Sequence, residues 1–198
     1  MKLLKVKVIA DYQILLALLA CTLIFESGCA TSSTADVEPL QTSIAPGVDL
    51  KQYRIATVVP FEMDAGKDLD PLIGNDFADE ITERLQNSYA GLFDQVRKGP
   101  VLGTNGELVI TGTITKYDPG NVSERALLIG LGAAHFDAQL TLKDAQSGQV
   151  IMTAPINKLW AWGGAEGISK RIENLMFEAA AAIDATIAHE KGWQSPAQ

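Results

Sequence analysis

Hydrophobic positions along the chain fall into distinct periods, and each period predicts an element. Residues Tyr53 to Glu62, "YRIATVVPFE", form a β-branched run reaching Pro60, which suits a buried strand that stops where proline has no N–H for a ladder. After a loop with Gly66, Pro71 and Gly74, "NDFADEITERLQNSY" sets Phe77, Ile81 and Leu85 four residues apart. That spacing predicts a helix, with Asn75 or Asp76 as its cap and Asp79 and Glu80 near the positive end of its dipole. "LFDQVRK" offers a short strand, and "ELVITGTITKYDPG" a longer one whose Leu108, Ile110 and Ile114 share a face. A period of two is clearest between His135 and Trp162. There Phe136, Ala138, Leu140 and Leu142 alternate with Asp137, Gln139, Thr141 and Lys143, and "DAQSG" supplies a hairpin turn. A final helix is expected from Ile168 to His189. Ile168, Ile172, Leu175, Met176, Ala179, Ile183 and Ile187 line one face, and Gly192 follows its end.

The order β-α-β-β-β-β-α implies an α/β (α+β) domain, a two-layer mixed sheet of about five strands with two main helices packed on it. Residues 1–28 stand apart from this pattern. Lys2, Lys5 and Lys7 precede an apolar run, Ile14 to Phe25, that as a helix would cover roughly 18 Å against about 30 Å of bilayer hydrocarbon. A basic start, a short apolar stretch and then small residues is the layout of an export signal. Residues 29–50 are polar and small with two prolines, which reads as a flexible tether of about 25 Å average span. The globular domain is expected over 51–192, with 193–198 as a tail.

The two cysteines, Cys21 and Cys29, sit at the end of that apolar run. In "ESGCA", the small residues Ser27 and Gly28 directly before Cys29 resemble the lipobox of bacterial lipoproteins, which implies lipidation at Cys29 and removal of Cys21 with the signal. Glu26 stands where that pattern prefers Leu, Val or Ile. Two other readings stay open: lipidation at Cys21 in "LLAC", or ordinary cleavage at "GCA" that releases a soluble periplasmic protein. Ala30 is not the Asp that, in such lipoproteins, holds the chain at the inner membrane. The expected location is therefore the cell outer membrane, lipid-anchored and facing the periplasm.

Composition narrows the function. The 198 residues are 47% hydrophobic, enough for one folded domain, and carry a formal charge of -8. Removing the signal region leaves 13 basic and 22 acidic residues, so nucleic acid is not an expected partner. The glycines of "GLGAA", 130–134, lack the spacing of a phosphate-binding loop. His135 and His189 are isolated, and local motifs assemble no nucleophile, base and acid, so neither an enzyme nor a cofactor or metal is expected.

Two stretches are candidates for interaction. "ALLIGLGAA" runs nine residues without charge, and Leu127, Leu128, Ile129 and Leu131 could meet a partner or the membrane surface; glycine-assisted packing is the plainer reading. "KLWAWGG" places Trp160 and Trp162 on one face of a strand, where they could hold a partner or cover the sheet. Arg125, beside the apolar run, is a candidate for pairing with an acidic group or for a structural role.

Taken together, "ATVVPFE", "GNDFADEITERL", "LFDQV", "LVITGTITKYDPGN" and "RALLIGLGAAHFDAQLTLKDAQSGQV" resemble the bacterial lipoprotein family known as domain of unknown function 4410. The "PFE" strand and the helix after it are more distantly similar to the curli secretion lipoprotein and to the lipoprotein that activates a penicillin-binding protein. That resemblance implies a binding or assembly module working on another envelope component, protein in nature, with a self-associating structural subunit as the alternative. An envelope hydrolase is a third, separate reading.

Overall fold

The computed structural model describes residues 37–65, 69–127, 131–161 and 170–194. Among them the chain forms β1 (Ser43–Ile44), β2 (Ile55–Val58), β3 (Glu62–Met63), α1 (Leu72–Asn87), β4 (Gln95–Lys98), β5 (Glu107–Asp118), α2 (Val122–Leu127), β6 (Ala134–Asp144), β7 (Val150–Trp160) and α3 (Ile172–Glu190). The mixed α/β class holds. The five expected strands are all present, and two short strands and one short helix join them. In the sheet the order is β1-β7-β6-β5-β2-β4, with β3 also paired to β5. The β2, β3 and β4 pairings are parallel, while β5, β6, β7 and β1 are antiparallel.

The hairpin follows the alternation that predicts it. Phe136, Ala138, Leu140 and Leu142 are buried toward the helices, and their alternates lie on the more open face. α1 packs over β2 and β4, and α3 over β6 and β7. Between sheet and helices, Phe61, Phe77 and Phe136 form a chain of edge-to-face rings with centroids 4.8 and 4.9 Å apart. This geometry suits the ring quadrupoles and fills the middle of the core.

Three expectations need correction. α1 begins at Leu72, not at Asn75 or Asp76, because Asp70 Oδ1 accepts from Leu72 N at 2.9 Å and Pro71 stands at the cap position with its φ already set for a helix. Residues 37–50 are not wholly tether. Val37, Leu40, Ile44 and Val48 pack against the core, Leu40 N donates to Thr186 Oγ1 at 2.8 Å, and β1 pairs with Met152 and Thr153 of β7. At the other end Trp193 also belongs to the domain, its ring 5.1 Å from that of Tyr89. Gly192, at φ +64°, ends α3 in a Schellman turn in which Trp193 N donates to Ala188 O and Gly192 N to His189 O. The remaining signal and tether residues, including Cys21, Glu26 and Cys29, lie outside the described residues, as do Gly66 and Ile168.

α3 is buried on every side from Ala179 to Ala188, which a one-faced pattern does not anticipate. Its only charged residue in that stretch, Asp184, is fully buried, with Oδ2 at 3.3 Å from Arg84 Nε on α1. Burial raises the Asp184 carboxyl well above its usual range, and the nearby Arg84 guanidinium draws it back by less; the Glu80 carboxylate adds to the rise. A raised folded-state pKa means that stability is fully present below the unfolded value and is lost as pH rises through the folded one. Denaturation midpoints measured from about pH 4 upward should therefore fall for the wild type through that window. Asp184→Asn should flatten this part of the profile, and an unchanged slope would rule the carboxyl out as its source.

Candidate functional site

The β5–β6 connection, residues 119–133, gathers the motif residues that sequence reading treats separately. Asp118 Oδ1 accepts from Gly120 N at 2.8 Å and starts the turn. Asn121 then caps α2, its Oδ1 accepting from Ser123 N at 3.0 Å and from Glu124 N at 3.3 Å, while its own amide donates to Glu124 Oε1 at 3.1 Å. Gly120 and Gly132 have φ of +64° and +62°, and a Cβ at either would collide with backbone of the facing segment. Asn121 N donates to Gly132 O at 3.0 Å across this approach.

Arg125 completes the arrangement from inside. Its residue is 1% exposed, and Nη1 donates to Pro119 O at 2.9 Å and to Gly132 O at 2.7 Å. One guanidinium thus ties both ends of the connection together, with charge-assisted bonds stronger than neutral ones. The side chain is turned inward and shapes the segment.

That segment exposes apolar side chains alongside the polar Asn121, Ser123 and Glu124. Val122 is 47%, Leu127 79% and Leu131 48% exposed, and Leu159 on the neighbouring β7, opposite His135, is 57% exposed at the same end of the sheet. Single exposed apolar residues are ordinary on any surface. Here Val122, Leu127 and Leu131 share one braced connection, and each leucine would contribute about 1.5–3 kcal/mol if fully buried by a partner. Leu128 and Ile129 lie outside the described residues. The uncharged run therefore divides: its glycine does serve close approach, as Gly132 shows, and its leucines at 127 and 131 face out.

Of the tryptophan pair, Trp160 is among the described residues. Trp160 is half-buried against the core, and Lys170 Nζ lies 4.1 Å from its ring centroid, a cation–π contact that covers the indole. This is the covering role. Trp162 lies outside the described residues.

Sequence reading missed the most elaborate polar site. Glu107 is fully buried at the start of β5, where Thr57, Arg97, Thr104 Oγ1 and the backbone N–H groups of Leu102 and Thr104 all donate to its carboxylate. Burial pushes this carboxyl up, but the hydrogen bonds from Thr57, Thr104 and Leu102 outweigh it and hold it at about 2. With five donors on its two oxygens, the group braces the 99–106 loop. The "DAQSG" hairpin turn is closed by its own side chains: Asp144 Oδ1 accepts from both Ser147 N and Ser147 Oγ at 2.7 Å, with Gly148 at φ +71°. His135 lies in β6, and His189 is exposed in the last turn of α3. Among the described residues no group of acidic, histidine or cysteine side chains is arranged to hold a metal, and no helix is long and apolar enough to cross a membrane.

The fold is similar to that of PelC from Paraburkholderia phytofirmans, solved as a dodecamer. The TM-score is 0.53 with 14% sequence identity, covering 78% of this chain and 98% of that one. A substituted form of the same dodecamer aligns with a TM-score of 0.51 and 16% identity over 74% of this chain and 95% of the other. A Xanthomonas campestris protein of family DUF330 aligns at 0.46 with 6% identity, over 75% and 90% of the two chains. No curated protein matches the sequence. The model of the domain of unknown function DUF4410 matches residues 46–164, a span that contains β2, the bracing Glu107, the Arg125-tied connection and the hairpin, and this chain belongs to that family.

Proposed function

We propose that this chain is a lipid-anchored outer-membrane protein, facing the periplasm, whose domain is a non-catalytic assembly module that binds another envelope protein through the apolar end of its sheet. The observation that carries this reading is the exposure of Val122, Leu127 and Leu131 on a connection held rigid by Arg125. Rigid apolar anchors lose little conformational freedom on binding, which is what makes such residues energetically productive at interfaces. Changing Leu127 and Leu131 together to Asp should leave folding within about 0.5 kcal/mol, as for other surface substitutions, while abolishing co-purification of the partner. An unfolded variant would instead assign these leucines to the core.

A second reading, in which the partner is further copies of the same chain, is favoured by the likeness to a protein solved as a dodecamer. Ring assemblies of one chain use heterologous interfaces, so the apolar end would meet a different face of its neighbour.

Anchoring is tested separately. Mass spectrometry of the mature N-terminus should find a diacylated Cys29 and no Cys21, and Cys29→Ser should move the protein from membrane to soluble fractions. An unmodified mature chain starting at Thr31 would identify a soluble periplasmic protein instead.

A further inference from the structure

At the opposite end of the sheet, where β2 and β5 begin and α3 ends, three cations gather, with the carboxylates of Asp49 and Asp94 acting on one of them, Lys191. Lys51, Arg54 and Lys191 line an open cleft of about 290 Å³ together with one carboxylate, Asp94, and the rings of Phe93 and Trp193. A second cleft of about 300 Å³ shares Tyr53 and Arg54 with the first and is bordered by Gln52, Asn105 and Asp144. Each is near the lower size bound of small-ligand sites, and Tyr53 and Arg54 line both, so the two adjoin as a trough at Arg54.

The cations are not equivalent. Lys191 Nζ donates to Leu50 O at 3.2 Å and Tyr53 O at 2.5 Å and lies 4.4 Å from the Phe93 ring centroid, so its charge is fixed at the cleft. Arg54 Nε is bonded to Asp94 Oδ2 at 2.6 Å, and among the described residues its two terminal nitrogens have no partner. That leaves an oriented fork of the kind that takes carboxylate or phosphate. Lys51 supplies a second, mobile ammonium beside it.

We propose that this trough binds a saccharide carrying one anionic group beside a neutral unit, the anion on Lys51 and Arg54 and its ring against Trp193, with the neutral unit toward Gln52 and Asn105. Aromatic faces match the C–H face of a sugar ring, and side-chain amides offer both donor and acceptor to hydroxyls. Asp144 in the second cleft opposes a further negative charge, which disfavours a run of acidic residues in a peptide.

Calorimetric titration of the full-length protein in detergent tests the assignment. A hyaluronan tetrasaccharide, which alternates uronate with neutral N-acetylhexosamine, represents the carboxylate source, and N-acetylglucosamine 1-phosphate the phosphate source. At least one should bind, with affinity falling about tenfold or more in Lys51→Ala combined with Arg54→Ala, since charge-assisted bonds are lost. Leu127→Asp should leave this binding unchanged, which separates the trough from the apolar end. Equal binding of neutral chitotriose, tighter binding of a tetraglutamate peptide, indifference to the Lys51 and Arg54 changes, or no binding of either anionic sugar would each overturn it.

Discussion

Glu107→Ala is expected to destabilise the domain by about 3–5 kcal/mol, the scale of breaking a buried ion pair by removing one partner. The loss has two parts. Arg97, four-fifths buried, is left with its charge uncompensated, and the Thr57, Leu102 and Thr104 donors lose the acceptor around which the 99–106 loop is folded. The wild type should also show a matching acid sensitivity. A carboxyl held at about 2 against an ordinary 4.5 contributes stability that is present above 4.5 and lost as pH falls toward 2. Denaturant titrations of Glu107→Gln should lack that acid-dependent component. A wild type whose stability is flat below pH 4.5 would mean that the carboxylate is not held by these donors.

Phe136→Ala should be comparably severe, about 3–5 kcal/mol, because the cavity would open in the middle of the core. The ring is fully buried, touches Phe77 edge-on at 4.9 Å and faces Tyr117 at 6.4 Å. A loss of this size corresponds to roughly 6–20 °C in Tm for a domain of this length. Phe136→Leu, which keeps most of the volume, should cost under about 1.5 kcal/mol. Equal effects of the two substitutions would show that the site depends on ring geometry more than on volume.

These two residues also mark how much the sequence discloses. Phe136 announces itself, because a strand buried on one face writes a period of two and the hairpin turn fixes its register. Glu107 gives no such signal: its donors come from β2, β4 and the loop before it, and no spacing along the chain encodes that convergence. β1 is invisible for a related reason. A two-residue edge strand is defined by backbone pairing to Thr153 and Met152, and "TSIAP" has the composition of a linker. At α1, Asn75 and Asp76 have the chemistry of caps, but Asp70 and Pro71 reach that role first.

The candidate interface was half legible. An uncharged run between two strands points to the right segment, and Leu127 and Leu131 do face out. The inward turn of Arg125 was not readable, since it depends on two carbonyls brought together only when Gly120 and Gly132 let the connection close. The "DPGN" motif, Arg125 and Gly132 are one structural device. Together they hold the exposed Leu127 and Leu131 in place.

The proposed role requires that this surface join the chain to other protein. The most direct test is the native mass of the protein extracted from its own cells in mild detergent. The wild type should run as a complex several times the 21.2 kDa chain or with a defined partner, and the combined Leu127→Asp and Leu131→Asp variant as a folded monomer. A monomeric wild type, or a complex that survives both substitutions, would contradict it.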